Sequence, residues 1–306
     1  MSTIYEMLEA CTGKNNVFEQ EPMSRHTTFR IGGPADWFVV PQNAAQLQAV
    51  VEACRIRELP FFILGNGSNL LVSDSGYRGA VIQIFKNMES FTIDGTGLRA
   101  DAGALLSTLA AAARDAGLTG MEFASGIPGT LGGAVTMNAG AYGGEMKDIL
   151  RSVTVLDTEN KIRQLDVSEL GLGYRTSRVK TENWIVISAE LKLTAGDIRK
   201  ITARMEELKE MRTSKQPLNY PSAGSTFKRP EGYFAGKLIM DAGLAGASVH
   251  DAQISEKHCG FLINKGKATA EDVWELMTKV RRTVLDKYGV RLEPEIKLLG
   301  EFPELE

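Results

Sequence analysis

The sequence predicts an α+β fold of two or three domains, and three observations carry that prediction. At 306 residues the chain is too long for one ordinary hydrophobic core. Its apolar residues switch between helical and strand spacing without an internal repeat. Two glycine-rich segments break the pattern, one directly after a short apolar strand and one in a stretch of little periodicity.

Residues 2–11 read as a short helix, and Thr27 to Ile31 as a short strand ending in the turn Gly32-Gly33-Pro34. Leu47, Val50, Val51 and Cys54 recur at helical spacing and predict a helix over 44–58. Phe61 to Leu64 is a short strand running into Gly65-Asn66-Gly67-Ser68-Asn69, so this part looks like a small α/β nucleotide-binding unit. Short strands follow at 81–84, 91–93 and 98–101, then an Ala-rich helix over 104–116 with Gly117 as its C-cap. Residues 120–144 form a long glycine-rich connection, and strands resume at 152–157, 161–166 and 184–193. A charged helix at 196–213 divides this part from a segment rich in Pro217, Pro221 and Gly224. The remainder carries a helix over 269–288. It opens on Thr269 and Asp272, an approximation to a capping box, and its apolar face is Val273, Leu276, Met277, Val280 and Val284. Ile296 to Leu299 closes the chain as a strand. These patterns place domains at 1–79, 80–214 and 215–306, the last a small α+β domain.

Hydrophobic residues make up 43% of the chain and charged residues 24%, with a net charge of -3. The 35 Lys and Arg are scattered, which argues against nucleic acid or an anionic membrane surface as partner. Cys11, Cys54 and Cys259 fit neither a zinc site nor a disulfide framework, and so sparse a set suits a reducing cytosol. His26, His250 and His258 do not cluster with them at ligand spacings, so no metal is expected. The first residues carry acids and no apolar run, which is unlike a signal peptide, and no apolar stretch is long enough to span a bilayer. A cytoplasmic protein without membrane insertion is therefore expected.

In Gly65-Asn66-Gly67-Ser68-Asn69 the glycines let backbone N–H groups approach phosphate oxygens, and consecutive N–H groups make an anion-binding nest. A plain strand-to-turn connection fits this loop equally well. The dinucleotide fingerprint is absent, because its third glycine and following helix are missing. The second loop, Ser125 to Gly143, is too long and too apolar at Ile127, Leu131, Val135 and Met137 for a flexible linker. Its small residues suit backbone wrapping of a large flat ligand.

Six segments in order resemble one family: TTFRIGGPA (27–35), GNGSNLL (65–71), SGIPGTLGGAVTMNAGAYGGE (125–145), YRTS (174–177), GSTFKRP (224–230) and LEPEI (292–296). From about residue 24 to 300 the chain is similar to the UDP-N-acetylenolpyruvoylglucosamine reductases. The resemblance implies an α+β fold in which two subdomains bind FAD as in the vanillyl-alcohol-oxidase group, with a smaller α+β substrate domain. It implies non-covalent FAD, NADPH as co-substrate, and reduction of a UDP-linked enolpyruvyl ether to a lactyl ether for the cell wall. FAD contacts would come from Arg30, Gly65, Asn66, Gly67, Ser68, Asn69, Ser125, Gly126, Gly129, Thr130, Gly132, Gly133, Ala134, Asn138, Gly140, Ala141 and Tyr142. The segment Thr176–Asn183 is short, which resembles the branch of the family without the extra tyrosine loop. A monomer is expected.

Such a reduction needs a hydride donor, a group that stabilises an enolate, and a proton donor for C2. By resemblance these last two needs fall to Arg175, Ser225 and Glu295. Arg175 has the fork geometry that suits a carboxylate or enolate, although taken alone it reads as a surface arginine. Ser225 taken alone reads as a turn serine, with Lys215, Lys228 and Arg229 as sources of positive field. Glu293 and Glu295 share a face if extended, and motif position favours Glu295 over Glu293. Tyr174, Arg212, Lys215, Lys228 and Arg229 are candidate substrate contacts. Arg212 and Lys215 fit equally well as charges complementing a helix C-terminus. Two competing functions remain at this point: an alcohol oxidase or dehydrogenase of the same flavin fold, and a flavin-binding module without catalysis.

Overall fold

The computed structural model describes residues 3–304, which form two compact units. Of the described residues, one unit comprises 3–18, 38–66 and 80–212, the other 19–37, 67–79 and 213–304. Ser2, the first residue of the expected N-terminal helix, lies outside the described residues.

In the first unit, helix Ile4–Thr12 opens on a capping box: the Thr3 hydroxyl accepts from Glu6 N–H, and the Glu6 carboxylate accepts from Thr3 N–H. It packs against helix Ala44–Ile56, whose Leu47, Val50, Val51 and Cys54 are fully buried. Strand Phe61–Leu64 pairs in parallel with residues 80–83. A five-stranded antiparallel sheet follows, in the order Ile162–Asp166, Leu150–Leu156, Ile185–Lys192, Gly97–Asp101, Phe91–Asp94. Its central strand Ile185–Lys192 packs against helix Leu131–Met137, and Val153, Val155, Leu156, Leu191, Leu131 and Val135 are all fully buried. The polar helix Ile198–Lys215 buries only Ile201 and Leu208 along its length.

The second unit holds a four-stranded antiparallel sheet in the order Ser222–Ser225, Phe261–Asn264, Ala252–Ile254, Ser248–Val249. Helix Ala270–Tyr288 covers it through Val273, Leu276, Met277, Val280 and Val284. Thr269 and Asp272 complete the expected capping box, and Gly289 ends the helix in the left-handed conformation. Strand Lys297–Leu299 pairs in parallel with Leu70–Val72.

Two expectations need correction. Residues 27–31 are not a strand. Arg30 has φ 57° and Gly32 φ 137°, so the chain cannot be extended there. Instead Phe29 drops into the core, held by a bond from Asn264 Nδ2 to its carbonyl, and Thr28 N–H bonds Gly67 O. Nor is 120–144 without structure. It contains a short 3-10 turn at Glu122–Ala124, helix Leu131–Met137 and a two-residue hairpin, Gly140–Ala141 with Gly144–Glu145. Gly132 and Gly133 weaken the helical signal there. Gly132 is nonetheless needed, since a Cβ on it would lie 2.9 Å from that of Ala102.

Candidate active site

In the first unit Gly65 and Asn66, which open the first glycine loop, meet the second. A Cβ on Gly65 would sit 2.5 Å from the buried Thr130 Oγ1, and Asn66 Nδ2 donates to Pro128 O at 2.8 Å. Thr130 N-caps helix Leu131–Met137. The first N–H groups of that helix already have partners: Leu131 bonds Ala104 O, Gly132 bonds Ala102 O and Gly133 faces Thr130 Oγ1. This helix end therefore has no free donors to offer an anion in its first turn. The first loop differs. The N–H groups of Asn66, Gly67 and Ser68 have no acceptor among the described residues, and Ser68 Oγ has no partner. Gly67 has φ 62°, and a Cβ there would stand 2.1 Å from His26 O. Consecutive neutral donors on a side-chain-free backbone suit a diphosphate, so this donor set fits FAD.

Further along the second loop, Arg212 lies against Gly126 and Tyr142. Its Nε would be 2.8 Å from a Cβ on Gly126, and its guanidinium is 5.9 Å from the Tyr142 ring centroid. Burial depresses the Arg212 pKa, with Tyr142 acting in the opposite sense. Tyr142 and Asn138 both adopt positive φ. Asn138 is buried, and its side chain is fully engaged within the protein.

Tyr174 and Arg175 form the tip of a tight turn in the first unit. Gly173 and Thr176 exchange two backbone bonds across it, and Arg175 sits at φ 54°. A non-glycine residue in this region costs roughly 1–2 kcal/mol. The Arg175 guanidinium lies 5.2 Å from the Tyr174 ring centroid, and Tyr174 is exposed.

The second unit brings together three motifs distant in sequence. Strand Ser222–Ser225 bulges against Phe261–Asn264, with Gly224 at φ 76° inside the bulge. Thr226 is buried: its N–H bonds Gly260 O, and its hydroxyl accepts from Leu262 N–H. Its carbonyl accepts from Glu295 N–H, while Lys228 N–H bonds Glu293 O. The segments 226–228 and 293–295 thus run side by side, with Phe227 bridged to Pro294. Asn69 of the first loop closes the group: its Nδ2 donates to Glu295 O at 3.2 Å, and its carbonyl accepts from Lys297 N–H. Ser225 Oγ is half-buried and has no hydrogen-bond partner among the described residues.

The two adjacent acids differ. Glu293 is exposed and bonds Lys228 at 2.8 Å, which holds its carboxyl below the usual range. Glu295 is half-buried. Of the other cations, Arg229 lies 3.9 Å from the Phe234 ring centroid and donates to Tyr233 O, and Lys215 is exposed at the end of its helix. The motifs alone did not single out Thr226 or Ser177, whose roles lie in hydrogen bonds to distant backbone.

Comparison with known proteins decides the family. A family model described as the FAD binding domain matches residues 35–166, and one described as the UDP-N-acetylenolpyruvoylglucosamine reductase C-terminal domain matches 216–299. A UDP-N-acetylenolpyruvoylglucosamine reductase of Agathobacter rectalis is 52% identical over 94% of this chain and 95% of its own. That of Clostridioides difficile is 49% identical over 97% and 98%. The chain belongs to the UDP-N-acetylenolpyruvoylglucosamine reductase family. The crystal structure of the enzyme from Thermus caldophilus superposes with a TM-score of 0.80 at 37% identity, covering 92% of this chain and 98% of that one. The α+β architecture, an FAD-binding domain followed by the C-terminal domain of this reductase family, is as the sequence led one to expect. The first match spans both glycine loops and the second spans Ser225, Lys228, Arg229 and Glu295. Arg30, Arg175, Arg212 and Lys215 lie outside both. Among the described residues no helix is long and apolar enough to cross a membrane.

Proposed function

We propose that this reductase converts UDP-N-acetylglucosamine enolpyruvate to UDP-N-acetylmuramate, using NADPH and non-covalently bound FAD, in the synthesis of peptidoglycan precursors. The observation that supports it best is the convergence of Asn69, Ser225 and Glu295 in one unit, with the Ser225 hydroxyl uncommitted. The nest at Asn66–Ser68 would hold the FAD diphosphate, and residues of the second loop would line the ring system. FAD, when bound, supplies the hydride that reaches C3 of the enolpyruvyl group and is replenished by NADPH.

The remaining chemistry falls to the chain. Arg175, permanently cationic and fork-shaped, holds the substrate carboxylate and stabilises the enolate that develops beside it. Glu295 is the acid that helps to stabilise that charge. Ser225 delivers its proton to C2, and solvent restores it after product leaves. Tyr174, Arg212, Lys215, Lys228 and Arg229 contact the substrate, Arg212 and Lys215 at its diphosphate. We further assign domains 1–79, 80–214 and 215–306, the first two making a vanillyl-alcohol-oxidase-type FAD-binding pair. The enzyme acts as a cytoplasmic monomer, serving cell-wall biogenesis and through it cell shape, the cell cycle and division. The purified protein should be yellow, lose its colour with NADPH, and regain it anaerobically with the enolpyruvyl substrate. Acid should release all flavin to the supernatant. A reduced protein that this substrate leaves colourless would instead support an alcohol oxidase or dehydrogenase of the same fold.

A further inference from the structure

The Arg175 turn and the second glycine loop are joined by a pair of buried side chains, both in the first unit. Asn138 follows helix Leu131–Met137 at φ 42°, a left-handed cap that asparagine tolerates better than most residues. Its Nδ2 donates to Glu145 Oε2 at 2.5 Å and to Gly173 O at 3.1 Å, and its Oδ1 accepts from Lys147 N–H at 2.9 Å. Lys147 N–H only donates and Gly173 O only accepts, so the orientation of the amide is fixed. With both N–H bonds and an oxygen lone pair in use at 1% exposure, the side chain is committed to internal partners. It ties the hairpin at 140–145 to the residue that opens the Arg175 turn. On the other side of the turn, Ser177, also 1% exposed, donates from Oγ to Thr136 O at 2.7 Å. Lys180 Nζ reaches the Arg175 carbonyl itself at 3.1 Å.

We infer that Asn138 and Ser177 are positioning residues: they clamp the Arg175 turn to the C-terminal end of the helix in the second glycine loop, so that ordering of that loop by FAD also orders Arg175. The proposal rests on the reading of the loop as the FAD site and of Arg175 as the enolate-stabilising cation. The physical basis is the turn itself. Arg175 occupies a left-handed position that glycine would prefer, and such a conformation persists only where its surroundings over-determine it. Here Gly173 and Ser177, two residues to either side, are each bonded to the same helix end. Two sites that bias one ordered element are coupled in both directions.

Asn138→Gly tests the clamp, because glycine keeps the left-handed backbone and deletes only the side chain. Amide hydrogen exchange at Thr176, whose N–H closes the turn on Gly173 O, reads the clamp in FAD-free protein. It should speed by about tenfold or more in the variant, the factor carried by one or two lost hydrogen bonds. In the wild type, adding FAD should slow this exchange further, and in the variant that response should be lost. In anaerobic stopped flow, reoxidation by the enolpyruvyl substrate should slow about tenfold more than reduction by NADPH, since Arg175 serves only the former. Ser177→Ala carries the same test should Asn138→Gly not fold. Thr176 exchange within twofold of wild type, or an equal slowing of both half-reactions, would overturn the clamp. A wild type that binds no FAD would refute the functional reading, while exchange in the FAD-free protein still decides whether Asn138 holds the turn.

Discussion

Replacing Ser225 by alanine should remove a proton donor while leaving its strand intact. Ser225 Oγ makes no hydrogen bond within the described residues, so its loss strands no buried partner. The backbone pairing of Ser225 with Phe261 does not depend on the side chain. Stability should therefore change by no more than about 0.5 kcal/mol, the usual range for a substitution that breaks no contact. The kinetic effect should be far larger. A positioned general acid contributes about 10²–10⁴ in rate, or roughly 3–5 kcal/mol of barrier. That loss should fall on one half-reaction only, because protonation of C2 follows hydride transfer to C3 and has no part in oxidation of NADPH. Flavin absorbance followed anaerobically by stopped flow separates the halves. Reduction by NADPH should stay near the wild-type rate while reoxidation by the enolpyruvyl substrate slows by at least about a hundredfold. Equal slowing of both halves would make Ser225 a packing element. Wild-type rates in both would move the donor elsewhere, with Glu295 the first residue to test.

Thr226→Val keeps the shape of its neighbour but deletes the acceptor for Leu262 N–H; denaturant melts should show a loss of about 1–3 kcal/mol, the cost of an unsatisfied buried donor. Arg175→Lys should lower kcat by about 10²–10³ with little change in melting temperature, since an ammonium retains charge but not the fork; near wild-type turnover would contradict the assignment. His250 Nδ1–H donates to the Asp272 carboxylate at 2.7 Å, and that bond, with the charge of Asp272, raises its pKa above 6.5. Its contribution to stability is thus complete below the unfolded value and fades as pH rises through the folded one. Proton NMR should place the His250 midpoint above 6.5 in the wild type and lower it towards 6.5 in Asp272→Asn.

Regular elements were legible where apolar period and caps agreed. Helix Ala270–Tyr288 has both, with Thr269 and Asp272 at one end and Gly289 at the other. Helix Leu131–Met137 has only the cap, since Gly132 and Gly133 dilute its pattern, and its stability comes from Leu131 and Val135 buried against the central sheet. Residues 27–31 illustrate the opposite failure. Thr27, Thr28, Phe29 and Ile31 have strand propensity, but Thr28 and Phe29 bond to Gly67, Ser222 and Asn264, far away in sequence. Such tertiary bonds override a local preference worth at most about 1 kcal/mol.

The candidate site was legible as motifs but not as neighbours. Spacing put Glu293 and Glu295 on one face and left open which acid would be chemically available. What separates them is the strand alongside. Lys228 N–H takes Glu293 O and Lys228 Nζ takes its carboxylate, so Glu293 is doubly held at the surface. Glu295, two residues on, is fixed through its own N–H by Thr226 and through its carbonyl by Asn69. Ser225 is carried by a bulged strand pair, and Arg175 by a two-bond turn whose flank Ser177 Oγ ties to Thr136 O. The motifs carry the reacting groups together with neighbours such as Thr226, Asn138 and Ser177, whose side chains bond backbone groups distant in sequence. Substitutions at these supporting positions should therefore lower turnover with Arg175, Ser225 and Glu295 unchanged.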